Sequence, residues 1–210
     1  MARAFADIAF TPAVRAQQSR MGSAEGYGAF LADDAPRADT LGPEETDFIT
    51  ARDGFYQATV SGTGWPYVQF RGGPVGFLKV LTPNTVAYAD FRGNRQYVSA
   101  GNLTDNDRVS MILMDYPNRR RLKLWGRARL IETADEPDIV VSLHDQSYRA
   151  RPERAVVIEI EAFDWNCPQH IPMRLTIDEL KPHLSELQNE IQRLMAENQR
   201  LKSATSVSIG

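Results

Sequence analysis

Four short runs with a two-residue repeat follow one another without a helix: residues 55–61, 66–71, 75–81 and 85–91. They are separated by Gly62-Thr63-Gly64, Gly72-Gly73-Pro74 and Thr82-Pro83-Asn84, each rich in turn formers. Connections this short cannot carry a parallel crossover, so the runs must pair as an antiparallel meander. Residues 108–116, 120–130 and 155–163 extend the pattern to a mainly β chain of six to seven strands. Curling such a sheet into a small barrel removes its exposed edges.

The facing of the strands follows from alternation. In the run after Arg119, Leu122, Leu124, Ala128 and Leu130 fall on one face, and Arg121, Lys123, Trp125, Arg127 and Arg129 on the other. Val156, Ile158 and Ile160 point inward opposite Glu159 and Glu161. Helices are expected at Pro43–Ala51, where proline and two glutamates suit a first turn, and at Pro137–Tyr148. Residues 1–45 read as a helical arm, residues 46–175 as the barrel and residues 204–210 as a disordered tail.

Residues 182–203 differ in kind. Leu184, Leu187, Ile191, Leu194, Asn198 and Leu201 are spaced 3, 4, 3, 4 and 3 apart, a coiled-coil seam with Leu187, Leu194 and Leu201 at d and Leu184, Ile191 and Asn198 at a. Asparagine at a favours a parallel pair, and Glu197 at g can meet Lys202 at e of a partner. The same leucines could also pack back on the chain's own barrel. Pro182 is expected in the first turn.

Composition narrows the function. A net charge of -3 gives no global attraction to nucleic acid or anionic lipid, so the basic run Arg119-Arg120-Arg121 reads as a solvated strand face. The single cysteine, Cys167, excludes an intrachain disulfide and suits a reducing cytoplasmic setting. No apolar run approaches the roughly 20 residues of a membrane span. The three histidines are scattered, with only Cys167-x-x-His170 at short spacing, so no metal set is visible.

The candidate chemistry lies in Asp90-Phe91-Arg92-Gly93-Asn94-Arg95-Gln96, which precedes a helical stretch at 97–103. Helix amides, helix dipole and Arg95 would converge there on an anion such as phosphate, with Arg71, Arg121 and Lys123 as candidates to line the same pocket. A Gly-Asn start also serves helices that bind nothing. Asp164-Trp165-Asn166-Cys167-Pro168-Gln169-His170 is either a capped turn closing the barrel or the wall of a site.

Gly64-Trp65-Pro66-Tyr67-Val68-Gln69-Phe70-Arg71-Gly72-Gly73-Pro74, Asp90 to Tyr97, Gly101-Asn102-Leu103, Asp115-Tyr116, Arg121-Leu122, Gly126 and Asp164 to Pro168 together resemble the flavin mononucleotide (FMN)-binding split-barrel family typified by pyridoxamine 5'-phosphate oxidase, and more closely its branch of predicted flavin-nucleotide-binding proteins. The resemblance spans residues 46–175. It implies a homodimer with FMN at the subunit interface. Val68, Gln69 and Phe70 would run along the flavin, largely through backbone groups, with Arg71 at the phosphate and Ala89 and Asp90 as a second contact pair. Asn94, Arg95 and Gln96 stand where the oxidase has its phosphate grip, Arg121 where it has a flavin-contacting glutamine, and Trp165 in the role of a late tryptophan at the flavin. The oxidase's closing tryptophan-to-arginine segment is missing. The expected function is therefore a flavin-dependent oxidoreductase acting on a small molecule other than pyridoxamine phosphate. The alternatives are a non-catalytic flavin-binding or storage module, or a split barrel for haem or a deazaflavin with His170 as a conceivable axial ligand.

Overall fold

The computed structural model describes residues 3–32, 34, 35, 37, 39–165 and 168–207, with side chains to Lys202. Asn166 and Cys167, on which part of the late motif falls, lie outside the described residues, as do residues 208–210.

Seven strands form one antiparallel sheet: β1 (Gly54–Val60), β2 (Pro66–Gly72), β3 (Lys79–Thr82), β4 (Thr85–Phe91), β5 (Arg108–Asp115), β6 (Arg120–Glu132) and β7 (Pro152–Trp165), in the order β2-β1-β5-β6-β7-β4-β3. The sheet rolls into a split barrel. β1 and β4 are not hydrogen-bonded neighbours, yet Phe55 of β1 packs edge-on against Tyr88 of β4 at 5.2 Å, and Tyr88 Oη donates to Gln57 Oε1 at 2.9 Å. Phe55, Met111, Leu113, Leu122, Leu124, Val86 and Ile158 fill the interior and are essentially inaccessible. The inward positions expected from alternation on β6 and β7 are the ones observed, Leu130 being only partly buried.

Gly126 on β6 admits no side chain. A Cβ there would stand 2.1 Å from the Glu159 carbonyl oxygen, at the point where the β6–β7 register shifts. A local bulge brings the two backbones that close.

The helices are α1 (Arg3–Ala9), α2 (Pro12–Arg20), α3 (Ala24–Gly28), α4 (Pro43–Thr50), α5 (Val98–Asp105), α6 (Pro137–Leu143) and α7 (Ile177–Val207). α4 starts as its sequence requires: the Glu45 carboxylate accepts the Gly42 N–H at 2.9 Å. α6 ends at Leu143, short of the expected Tyr148, and places Val140 and Leu143 against Ala87, Ala89, Ala155 and Val157. β7 is thus buried on both faces, which explains its unbroken Ala155-Val156-Val157-Ile158 run.

Three expectations need correcting. The segment 75–81 is strand only from Lys79, because Gly76 sits at φ +76° in a turn where its amide donates to the Arg52 carbonyl. The expected four-strand meander is two separate hairpins, β1–β2 and β3–β4, because β2 and β3 stand at opposite ends of the strand order and do not pair. The N-terminal arm is helical as expected, and its α1 stacks Phe5 on Trp125 at 4.7 Å. Pro182 lies inside α7 rather than in its first turn. That helix begins at Ile177 because Thr176 and Glu179 cap each other, Thr176 N donating to Glu179 Oε2 at 2.7 Å and Glu179 N to Thr176 Oγ1 at 3.2 Å.

The barrel, residues 119–170 with those before Tyr116, is one compact unit; Tyr116–Asn118 and the segment from Ile171 onward form a second. In the second unit the Arg174 guanidinium lies 5.0 Å over the Tyr116 ring. No described helix is long and apolar enough to cross a membrane.

Candidate functional site

The open edges of the sheet are β2 and β3, and a cavity of about 260 Å³ opens between β2 and the end of β4 that runs past β3. Tyr67, Gln69 and Arg71 enter it from β2, Asp90 from the end of β4, Gly93 to Gln96 from the following loop, and Val98 to Ala100 from the first turn of α5. A second cavity of about 260 Å³ shares Gln69, Arg71 and Asp90 with the first.

Alternation on β2 decides which side chains enter. Tyr67, Gln69 and Arg71 are half-buried, whereas Val68 and Phe70 are 61% and 58% exposed on the opposite face. The Phe70 ring lies across the paired glycines Gly54 and Gly72, where a Cβ would meet it at 2.4 and 2.9 Å. Gln69 is held by Ser99, whose hydroxyl donates to Gln69 Oε1 at 2.9 Å, leaving the amide nitrogen as its donor. Asn102, one turn further along α5, donates to Thr59 Oγ1 of β1 at 2.9 Å. These two bonds fix the helix start against the strand pair.

The loop leading into α5 is strained. Arg95 and Tyr97 both adopt left-handed backbone, φ 63° and 53°. For residues with a Cβ this costs about 1–3 kcal/mol each, a feature that clusters at binding sites. Asn94 stabilises the turn by accepting the Gln96 N–H on its Oδ1 at 3.2 Å. Tyr97 provides no side-chain cap, and Val98 to Ala100 line the cavity, so the positive end of the α5 dipole lies beside it.

Charge is distributed unevenly. Arg71 Nη1 lies 2.6 Å from Asp90 Oδ1, and Arg154 Nε 3.7 Å from Asp90 Oδ2. Burial raises the Asp90 pKa above its ordinary value, and the two arginines oppose that rise without cancelling it. Glu153 is met by the Tyr97 hydroxyl at 3.2 Å and by Arg92 at 3.6 Å. Arg95 is exposed and, as an arginine, a permanent cation, its pKa raised further by its interaction with Tyr97. Arg71, Arg92, Arg95 and Arg154 thus surround two carboxylates, and the Arg71 Nε is buried with no hydrogen-bond partner among the described residues.

Of the residues singled out in the sequence, Gln69, Arg71, Asp90, Asn94, Arg95 and Gln96 share this cavity. Val68, Phe70 and Ala89 do not line it: Val68 and Phe70 are exposed and Ala89 is buried, and Phe70 and Ala89 line the second cavity. Arg121 and Lys123 do not join Arg71. They alternate with the inward Leu122 and Leu124, and Lys123 is paired with Asp164 at 2.6 Å. Trp165 closes the barrel by α4, as in a capped turn: its Nε1 donates to Glu45 Oε1 at 2.8 Å, Phe48 meets it edge-on at 4.8 Å, and the Arg120 guanidinium lies 4.4 Å over it. His170 does not line the cavity, and the described residues hold no cluster of three metal-ligating side chains. Tyr67, Ser99 and Glu153 line the site without having been singled out. Tyr67 and Ser99 were legible in principle, one as the alternation partner of Gln69 and Arg71, the other as the second residue of the helix.

Residues 41–167 match the model of a protein family described as pyridoxamine 5'-phosphate oxidase. Similar solved structures include HupZ of Group A Streptococcus (16% identity, 64% of this chain and 99% of that one, TM-score 0.49), an FMN-binding protein of Syntrophomonas wolfei (12%, 74% and 95%, 0.45) and General Stress Protein 26 of Bacillus anthracis (13%, 57% and 88%, 0.44). A search of curated proteins returned no match.

Proposed function

The chain belongs to the pyridoxamine 5'-phosphate oxidase family, and from that membership we propose that it binds FMN and supports a flavin-dependent redox reaction. The observation that carries this reading is the convergence of three sets of donors on one cavity: the Arg71 guanidinium, the Arg95 guanidinium and the first turn of α5. All three suit a phosphate, which takes charge-assisted bonds from arginine and helix N-termini alike.

In this reading Arg71, Arg95 and the α5 amides hold the phosphate, and Asn94 keeps the loop in its binding conformation. Gln96 adds no charge, so the two arginines carry the electrostatic share. Gln69, with its carbonyl held by Ser99, offers its amide N–H to the flavin ring, whose path follows the backbone of β2 through Val68 and Phe70. When bound, the flavin supplies the redox chemistry, accepting a hydride or electrons from a reduced donor. The protein binds and orients it; no side chain need act as nucleophile.

The outward faces of Val68, Phe70 and Tyr56 form an exposed apolar strip on β2 and β1. Apolar strips of this kind mark association surfaces, and a second copy of the chain is proposed to cover this one.

The test is the visible absorbance spectrum of the purified protein, with any ligand released by heat identified and Arg95→Ala compared. Flavin bands and released FMN in the wild type, lost in the variant, support the reading. A colourless protein that takes up no added FMN contradicts it.

A further inference from the structure

The proposed chemistry leaves α7 unused. Every described side chain from Pro172 to Lys202 is exposed, including Leu184, Leu187, Ile191 and Leu194 at 49–61%. Because the helix begins at Ile177, the heptad gains a further repeat upstream: Ile177, Leu184, Ile191 and Asn198 at a, and Leu180, Leu187, Leu194 and Leu201 at d. Positions b, c and f hold Ser185, Glu186, Asn189, Gln192 and Arg193 among others, so the apolar seam is narrow, and Pro182 at f stays off it. At about 1.5 Å per residue the helix is roughly 45 Å long, enough for four heptads of contact.

We propose that α7 pairs with α7 of a second copy of this chain as a parallel, in-register, two-stranded coiled coil. The a and d residues select the occupant. Isoleucine at a with leucine at d favours two strands. Asn198 at a is satisfied by its own symmetry mate only if the helices run parallel and in register; antiparallel pairing would bury its amide against leucine or isoleucine. Charge agrees: Glu197 at g faces Lys202 at e of the other helix in the parallel register. Within each helix Arg193 sits between Glu190, at 2.7 Å, and Glu197, at 3.4 Å, which supports the exposed face independently of a partner.

The test uses the full chain with Cys167→Ser and one cysteine introduced at Leu194→Cys, a d position, under mild oxidation at micromolar concentration. The expected result is conversion of most of the protein to a disulfide-linked dimer. Glu186→Cys, at the outward c position, is expected to cross-link at least tenfold more slowly, and adding Leu187→Lys to the Leu194→Cys chain to slow its cross-linking by a similar factor. Absence of a covalent dimer, equal rates at positions 194 and 186, or no effect of Leu187→Lys would each overturn the proposal. The readout involves no flavin, so its failure and that of the flavin reading are separate results.

Discussion

Arg71 of β2 and Asp90 of β4 meet at 2.6 Å across the barrel's split, joining two strands that share no backbone hydrogen bond. The contact does two things. It ties the edge strand to the rest of the barrel, and it holds the Arg71 side chain at the wall of the cavity.

Arg71→Lys keeps the charge beside Asp90 but loses the planar fork, so FMN affinity should fall about tenfold; Arg71→Ala should lower it by about 10- to 100-fold, the worth of a charge-assisted bond. A fluorescence titration of each variant measures this. Unchanged affinity in Arg71→Ala would remove Arg71 from the phosphate site.

Trp165 should matter for stability and not for the ligand. Trp165→Phe keeps the packing on Phe48 but leaves the Glu45 Oε1 without its indole donor, which should cost about 1–3 kcal/mol in urea unfolding. FMN affinity should stay within twofold. A tenfold loss of affinity at unchanged stability would instead place Trp165 at the flavin.

Gly126→Ala puts a methyl group 2.1 Å from the Glu159 carbonyl oxygen. The β6–β7 pair must separate to admit it, at about 1–3 kcal/mol or more. A denaturant midpoint equal to that of the wild type would contradict the close approach.

Stability should also fall at alkaline pH through Tyr88. Burial raises its phenol above the ordinary value of 10.0, while the phenol of the unfolded chain titrates near that value. Above pH 10 the folded state therefore holds the extra proton, and stability declines by at most about 1.4 kcal/mol per pH unit. The decline is present above the unfolded value and absent below it. Tyr88→Phe should flatten this part of the curve between pH 9 and 11, measured by urea unfolding at each pH; equal slopes would show that Tyr88 does not contribute.

Much of this was legible in the sequence because alternation is a local signal. The inward faces of β6 and β7 follow from spacing alone, and so does the α4 start. What escaped depends on partners distant in sequence. Phe5 gains its place through Trp125 and Ala162, more than 100 residues on, and Glu45 serves both Gly42 and Trp165, 120 residues away. The loop and helix start near Arg95 could be read locally, but the face of the sheet each basic residue occupies could not be joined across strands. Arg71 and Arg121 look equivalent in sequence; only the strand order separates them. Pro182 by itself signals a first turn, whereas Thr176 and Glu179 cap the helix and set its start upstream at Ile177.

The measurement that bears most directly on the central claim is a paired titration of the ligand-free protein with FMN and with riboflavin, which differ only in the phosphate. The account predicts that FMN binds at least about 100-fold more tightly, the value of roughly 3 kcal/mol in charge-assisted bonds, and that Arg95→Ala and Arg71→Ala each erode this difference while leaving riboflavin binding nearly unchanged. Equal affinity for the two ligands, or binding of neither, would contradict a phosphate site in the cavity between β2 and α5.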